Sequence, residues 1–299
     1  MSTLVLGTVA LDTVKTPFGV RKNMLGGSAV HFAMSCRLFG RVNLAATIGE
    51  DFPDRYVDFL KRRGVVLTSL IREKGKTFSW QGAYTGDLNQ AQTLSTKLGV
   101  LAEFMPTISP REAKIKNVFL ANVDPEIQSH LLRQMRAPTL VGLDSMNYWI
   151  EHKQKALLKV LRKADIFVAN DAEARSLSKE ANLIQAARRL ISLGPKMVLI
   201  KKGEHGVLFY GQGIIFLLPA FPTDKVIDPT GAGDTFAGGF MGVLARAKKI
   251  TPGILKKAIT YGTIAASFNV EGFGTEKTSR LTFRDLTARL KRFGKYVLI

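Results

Sequence analysis

Asp228-Pro229-Thr230-Gly231-Ala232-Gly233-Asp234-Thr235-Phe236-Ala237-Gly238-Gly239-Phe240 passes from turn chemistry straight into an apolar run that reads as a buried helix. Gly231 and Gly233 let the backbone turn tightly and come close to a ligand. The first N–H groups of the helix then point outward, with the positive end of its dipole behind them, which makes an anion site. Asp234 stands where such an anion would bind, a poor place for a carboxylate without a task. Beside N–H donors it suits a general base that takes a proton from a hydroxyl while the donors hold a transferring phosphoryl group. The same residues admit a plainer reading, a Gly-rich turn capping a core helix with Asp234 as a first-turn acid favoured by the dipole.

Composition bounds the rest. A chain of 299 residues with 46% hydrophobic and 22% charged side chains can bury a large core as one domain and is not disordered. The single cysteine, Cys36, excludes an intrachain disulfide and fits a reducing, cytoplasmic setting. The first residues lack a basic run, and the apolar region 207–221 is broken at Gly211, Gln212 and Gly213, so neither a signal peptide nor a membrane span is expected. The net charge of +19 favours polyanions in general. Its Lys and Arg residues are spread at helical spacing, as at Lys155, Lys159 and Arg162, without interleaved aromatics. They read as solvated helix faces that attract nucleotide phosphates, not as a nucleic-acid site.

In chain order, residues 4–9 read as a buried first strand, and Asp12 follows at its carboxyl end, where open α/β sheets place ligands. Gly26 and Gly27 open an apolar helix running to about Phe39, with Ser28 as a candidate cap and His31 on its first turns. Residues 75–98 mix Thr, Phe78, Trp80 and Tyr84 in rough alternation, with a turn at Gly86-Asp87, which suits antiparallel strands outside the main core. From Asn117 a regular βα alternation begins: strands at 118–121, 139–143, 166–168 and 197–200, with helices at 126–135 and 151–161. That order implies a parallel sheet covered on both faces. Asp144 lies just past a strand end on the expected ligand side. Asn170 and Glu173 form a capping box at a helix start. A hairpin is expected across 207–218. No P-loop is present, since position 70 is Leu. Phe236 is too bulky for a dinucleotide fingerprint, and the four histidines lack metal-ligand spacing.

The stretch 228–240, Asp12, the Gly26-Gly27 helix, Asn170-x-x-Glu173 and Gly203-x-x-Gly206 stand in the order of the ribokinase-like (PfkB) carbohydrate and nucleoside kinases, which the chain resembles over nearly its whole length. The resemblance implies a three-layer α/β/α sandwich with a mostly parallel central sheet and a small β-sheet lid. One kinase domain would span 1–299, with lid segments at about 13–23 and 73–98. It implies ATP-dependent transfer of the γ-phosphoryl group to a hydroxymethyl group of a sugar or nucleoside. Asp234 would be the general base, and the amides of Gly231, Ala232 and Gly233 the anion hole. Asp12, Gly26, Gly27, His31 and Trp80 would bind the acceptor. His31 stands where the family usually has Asn, a departure that leans toward a nucleoside.

Asn170, Lys202, Gly203, Gly206, Thr230 and Asn269 would meet the nucleotide. Glu173 would hold Mg²⁺ through water, and Asp228 a monovalent cation such as K⁺. The resemblance leaves open whether lid strands pair across a homodimer. The alternative is a silent member of the fold that responds to nucleotides or binds nucleic acid. The charge favours that alternative, while intact Asp234 and Glu173 oppose it.

Overall fold

The computed structural model describes residues 1–86 and 88–297. Asp87, part of the expected Gly86-Asp87 turn, lies outside the described residues. The chain begins with β1 (Ser2–Leu6), β2 (Ala10–Thr16), β3 (Gly19–Gly26), α1 (Ser28–Cys36) and β4 (Arg41–Gly49). It continues with α2 (Asp54–Arg62), β5 (Val65–Glu73), β6 (Ser79–Tyr84) and β7 (Ala91–Lys97). The βα half comprises β8 (Asn117–Leu120), α3 (Pro125–Gln134), β9 (Leu140–Asp144), α4 (Asn147–His152), α5 (Gln154–Leu161), β10 (Ile166–Asn170), α6 (Asp171–Ser178), α7 (Leu183–Ser192) and β11 (Met197–Lys201). The hairpin β12 (Val207–Gly211) and β13 (Ile214–Leu218) precedes α8 (Ala232–Arg246), α9 (Pro252–Asn269) and α10 (Phe283–Phe293).

Nine strands form one sheet in the order β13-β12-β11-β10-β9-β8-β1-β4-β5. Every neighbouring pair from β5 to β11 is parallel, and β12 pairs antiparallel with both β11 and β13. Pleating sends alternate residues to opposite faces. Ile166 and Val168 of β10 enter one core with α1, α8 and α9, whereas Phe167 and Ala169 enter a second with α3, α5 and α7. Both faces are therefore covered, which is why the central strands read as unbroken apolar runs. The order reverses between β1 and β8, and in such sheets the ligand crevice opens at the carboxyl ends beside that reversal.

The second sheet has the order β3-β2-β6-β7. It receives the chain from the carboxyl ends of β1 and β5, so it stands over the same edge of the large sheet. Several expected boundaries shift. Asp12 lies within β2 of the smaller sheet, not at the end of the first strand, because β1 stops at Leu6. The strands of the smaller sheet span Ala10 to Gly26, wider than 13–23, and Ser79 to Lys97, within 73–98, while Glu73 closes β5 of the large sheet. Helix α1 stops at Cys36, short of Phe39. The expected helix 151–161 is two helices, broken where Lys153 adopts φ −131°. Among the described residues no helix is long and apolar enough to cross a membrane.

Helix α8 crosses α1 at a close approach that only a missing side chain permits. A Cβ on Gly238 would overlap the Phe32 carbonyl oxygen and the Ser35 hydroxyl. Ser35 Oγ uses that closeness to donate to Thr235 O at 2.7 Å. The contact sets where α8 begins, and hence where Asp234 sits. Gly238→Ala is expected to cost about 1–3 kcal/mol through overpacking, read as a lower urea midpoint with unchanged slope. An unchanged midpoint would show that the two helices are not locked here.

Candidate active site

The turn into α8 is held from beneath. Gly231 has φ 74°, a left-handed conformation that glycine takes without strain, and forms the N-cap. Ala232 N–H is already donated to Pro229 O at 3.1 Å. The amides left without an acceptor among the described residues are those of Gly231, Gly233 and Asp234, so the expected donor set loses Ala232 and gains Asp234.

Thr230, just before the turn, is gripped through all three of its polar groups. Its N–H donates to Asp228 Oδ1 (2.9 Å), its carbonyl accepts from Asn269 Nδ2 (2.7 Å), and its hydroxyl donates to Tyr84 Oη (3.2 Å). Asp228, fully buried, also accepts Gly274 N–H on Oδ2 at 2.9 Å. Asn269 Oδ1 accepts the Thr235 hydroxyl (2.9 Å) and His31 Nδ1 (3.2 Å), which assigns the imidazole proton to Nδ1. The His31 ring lies so close under Gly231 that any Cβ there would overlap it. Burial holds the His31 proton affinity below its ordinary value, so the ring is neutral. His31 and Asn269 thus lie beneath the loop and support it.

Next to the turn is a cluster of charges gathered by strand ends. Lys201 closes β11 and Asp144 closes β9, and Lys201 Nζ meets Asp144 Oδ2 at 3.0 Å. The ammonium also lies against Gly233. Burial works against the charge on Lys201, but Asp144, Glu173 and Asp234 outweigh it and hold its proton affinity above the ordinary lysine value. Asp234 keeps partial solvent access while walled by protein. Burial first, then Asp144, push its pKa up to about 8, with Lys201 opposing. Glu173 is pushed up to about 7, again by burial first and against Lys201. Its capping box with Asn170 is formed, with Asn170 N–H donating to Oε2 and Glu173 N–H to Asn170 Oδ1, both at 2.7 Å.

On the side of the smaller sheet, burial raises Asp12 to about 7 against the N–H groups of Gly27 and Trp80. Asp12 Oδ1 has no partner among the described residues. Gly26 leaves room for this carboxyl, since a Cβ there would overlap it. Gly27, at φ 98°, is the N-cap of α1. Ser28 does not cap: its hydroxyl instead accepts Thr8 N–H and donates to Asn122 O, both at 3.1 Å. The Trp80 ring folds over Gly82 and its Nε1 donates to Thr93 at 3.2 Å.

Gly203 (φ 56°) and Gly206 (φ 85°) bound a single tight turn after β11, closed by Lys202 N–H on Gly206 O at 2.7 Å. Asn89, between β6 and β7, reaches this turn through Glu204 at 3.1 Å. Sequence alone singles out Lys202, whereas the structure brings Lys201, Asp144 and Tyr84 to the site. Two of these had a legible signal, because Asp144 and Lys201 both end buried strands on the ligand edge.

A family model described as pfkB family carbohydrate kinase matches residues 7–281. The chain belongs to this family. It is a kinase, a phosphotransferase with an alcohol group as acceptor. The chain is 32% identical over 253 residues to a cytidine kinase of Thermococcus kodakarensis, covering 83% of this kinase and 90% of that one. It is 24% identical over 271 residues to a nucleoside kinase of Methanocaldococcus jannaschii, covering 89% and 85%. A crystal structure of the Methanocaldococcus jannaschii nucleoside kinase, an archaeal member of the ribokinase family, superposes with a TM-score of 0.79 at 23% identity, covering 98% of this kinase and 99% of that chain. A Burkholderia thailandensis nucleoside kinase in complex with inosine superposes at 0.79 with 19% identity, covering 98% and 99%. The fold is thereby the ribokinase-like three-layer sandwich.

Asp12, Glu173 and Asp234 all bind protons more tightly folded than unfolded, where an Asp or Glu titrates near 4. Their contribution to stability is therefore full below about pH 4 and is lost as the pH climbs through about 7 to 8. Asp234→Asn removes one such group. The variant is expected to melt about 2–4 °C above the parent at pH 9 and level with it at pH 5, measured by calorimetry without ligands. A parent-like melting curve at both pH values would remove Asp234 from the strained cluster.

Proposed function

We propose that this kinase transfers the γ-phosphoryl group of ATP to the hydroxymethyl group of a nucleoside, with Asp234 as general base. The observation that carries the reading is Asp234 itself. It is a carboxyl of raised proton affinity, at the mouth of a helix whose first free amides include its own and that of Gly233, with the Lys201 ammonium alongside. Phosphoryl transfer needs this combination: fixed donors for the charge on the transferring group, and a base for the attacking hydroxyl. The nucleoside acceptor rests on the cytidine kinase and nucleoside kinases among the relatives, and cytidine is the first candidate.

In this reading the chain acts as one kinase unit. The nucleotide lies along the carboxyl edge of the large sheet, past the Gly203 to Gly206 turn, with its terminal phosphate at the free amides of the α8 turn. Asp12, with its unpartnered Oδ1, binds acceptor hydroxyls beside the backbone of Gly26 and Gly27. Asp234 takes the proton of the attacking hydroxyl, and Lys201 steadies the charge passing between the reactants. The smaller sheet, with segments near 13–23 and 73–98, acts as the lid and excludes water, which would otherwise compete as acceptor.

Mg²⁺ fits the residues in one manner. The described residues hold no group of three or more His, Cys, Asp or Glu side chains suited to caging a metal ion. Carboxyls of high proton affinity around Glu173 nevertheless suit a hydrated cation carried by the phosphates. Glu173 would hold it through water, and its chemistry when bound is charge neutralisation on those phosphates. K⁺ belongs to the same reading at Asp228, where each carboxylate oxygen accepts one amide and keeps a further lone-pair direction.

The test is ADP release from ATP with Mg²⁺ and K⁺ across cytidine, other nucleosides, pentoses and hexoses. Turnover is expected with a nucleoside, and Asp234→Asn is expected to lower kcat by about 10²-fold or more while ATP still binds. The parent kcat/KM should rise with pH through a midpoint of about 8, since the base works only without its proton. Near-parent turnover in Asp234→Asn would refute the assigned base. Turnover confined to free sugars would refute the assigned acceptor.

A further inference from the structure

We infer that Tyr84 is a positioning residue that ties the smaller sheet to the anion loop through Thr230, so that the loop is fully set only while that sheet is in place. Tyr84 is the last residue of β6, and only 8% of it is exposed. Its hydroxyl oxygen accepts from Thr230 Oγ1 across 146 positions of sequence.

The three grips on Thr230 differ in origin. Asp228 leads into α8 and Asn269 ends α9, so both move with the large body that carries Asp234. Tyr84 alone, among the described residues, reaches Thr230 from the smaller sheet. Asp228 and Asn269 hold the backbone of Thr230, whereas Tyr84 holds its side chain. Thr230 immediately precedes Gly231, whose left-handed turn aims the free amides.

With the sheet in place, the N–H, carbonyl and hydroxyl of Thr230 are all hydrogen-bonded. With the sheet displaced, its side chain is released, and the turn can relax around a glycine that tolerates many conformations. The phenol also lies among Asp12, Asp228 and Asp234, and since its oxygen accepts from Thr230 its own proton is free for a further acceptor. It stays a neutral hydroxyl there, because burial pushes it up to about 12. The arrangement links the element that covers the acceptor to the donors that hold the transferring group. An open sheet then leaves the donors poorly aimed, which limits loss of ATP to water.

The test has a mechanical arm that does not depend on the proposed reaction. Amide hydrogen exchange at Thr230, Ala232 and Thr235 is compared in the unliganded parent and Tyr84→Phe, which keeps the ring. Exchange at these amides is expected to be about five- to tenfold faster in the variant, the size of one hydrogen bond. Unchanged exchange would overturn the inference.

The kinetic arm rests on the proposed function and uses whichever acceptor the parent turns over. Tyr84→Phe should lower kcat about five- to tenfold with the KM for ATP unchanged, and ADP formed per acceptor phosphorylated should rise above the parent ratio. Adding Tyr84→Phe to Thr230→Val should produce no further loss, because the tyrosine acts through that hydroxyl. Additive losses, or a parent kcat in Tyr84→Phe, would refute the coupling and leave the assignment of Asp234 untouched. A parent without turnover on any acceptor would count against the proposed reaction, while the exchange result would still decide the tyrosine.

Discussion

The 3.0 Å pair between Lys201 and Asp144 is the interaction around which the active edge is arranged. A buried ion pair is a weak source of stability, because desolvation consumes most of the attraction. Here one ammonium faces three carboxyls, those of Asp144, Glu173 and Asp234, and burial first, with the neighbouring negative charge second, raises the proton affinities of Glu173 and Asp234. Such a cluster costs folding energy, and its retention makes sense if the charges are used. Parallel strands bring it together: β9, β10 and β11 end on one edge in register, so the residues that close them or follow them converge without long loops.

The donors need a different kind of support. Amides at a helix start hold an anion well only when their aim is fixed in advance, since reorientation during reaction would consume the benefit. The protein fixes them from below with buried hydrogen bonds. His31, Asn269, Thr235 and Asp228 form a buried frame under Gly231 and Thr230. The frame explains why glycine is required at 231, where the His31 ring occupies the space a side chain would need. It also explains how a histidine serves at position 31, since Nδ1–H donates to Asn269 and the ring fills the volume beneath the loop.

Much of the architecture was legible because buried parallel strands leave an unambiguous trace. The apolar runs near 118–121, 166–168 and 197–200 became β8, β10 and β11 within a residue or two, and the 207–218 hairpin formed as its turn glycines indicated. The capping box at Asn170 and Glu173 was legible because both partners lie within one helical turn. Asp12 was misplaced for a local reason: nothing in the run from Leu4 to Val9 marks where one sheet ends and another begins. Lys153 broke a helix whose periodicity continued across it. Ser28 was read as a cap from its place in sequence, but its hydroxyl was taken by Thr8 and Asn122, the latter 94 positions away.

The sequence by itself determined the layered α/β fold, the glycine turn into α8 and the carboxyl standing at its mouth. Each of these depends on residues close together along the chain, where periodicity and turn chemistry are decisive. Only the tertiary structure decided that Lys201 and not Lys202 faces the cluster, that Ala232 has already spent its amide, and that His31 supports the loop. It alone brought Tyr84 to Thr230. These outcomes turn on which side of a strand end a side chain leaves and on which distant group reaches a polar atom first. Those are properties of packed elements, which neighbouring residues cannot encode.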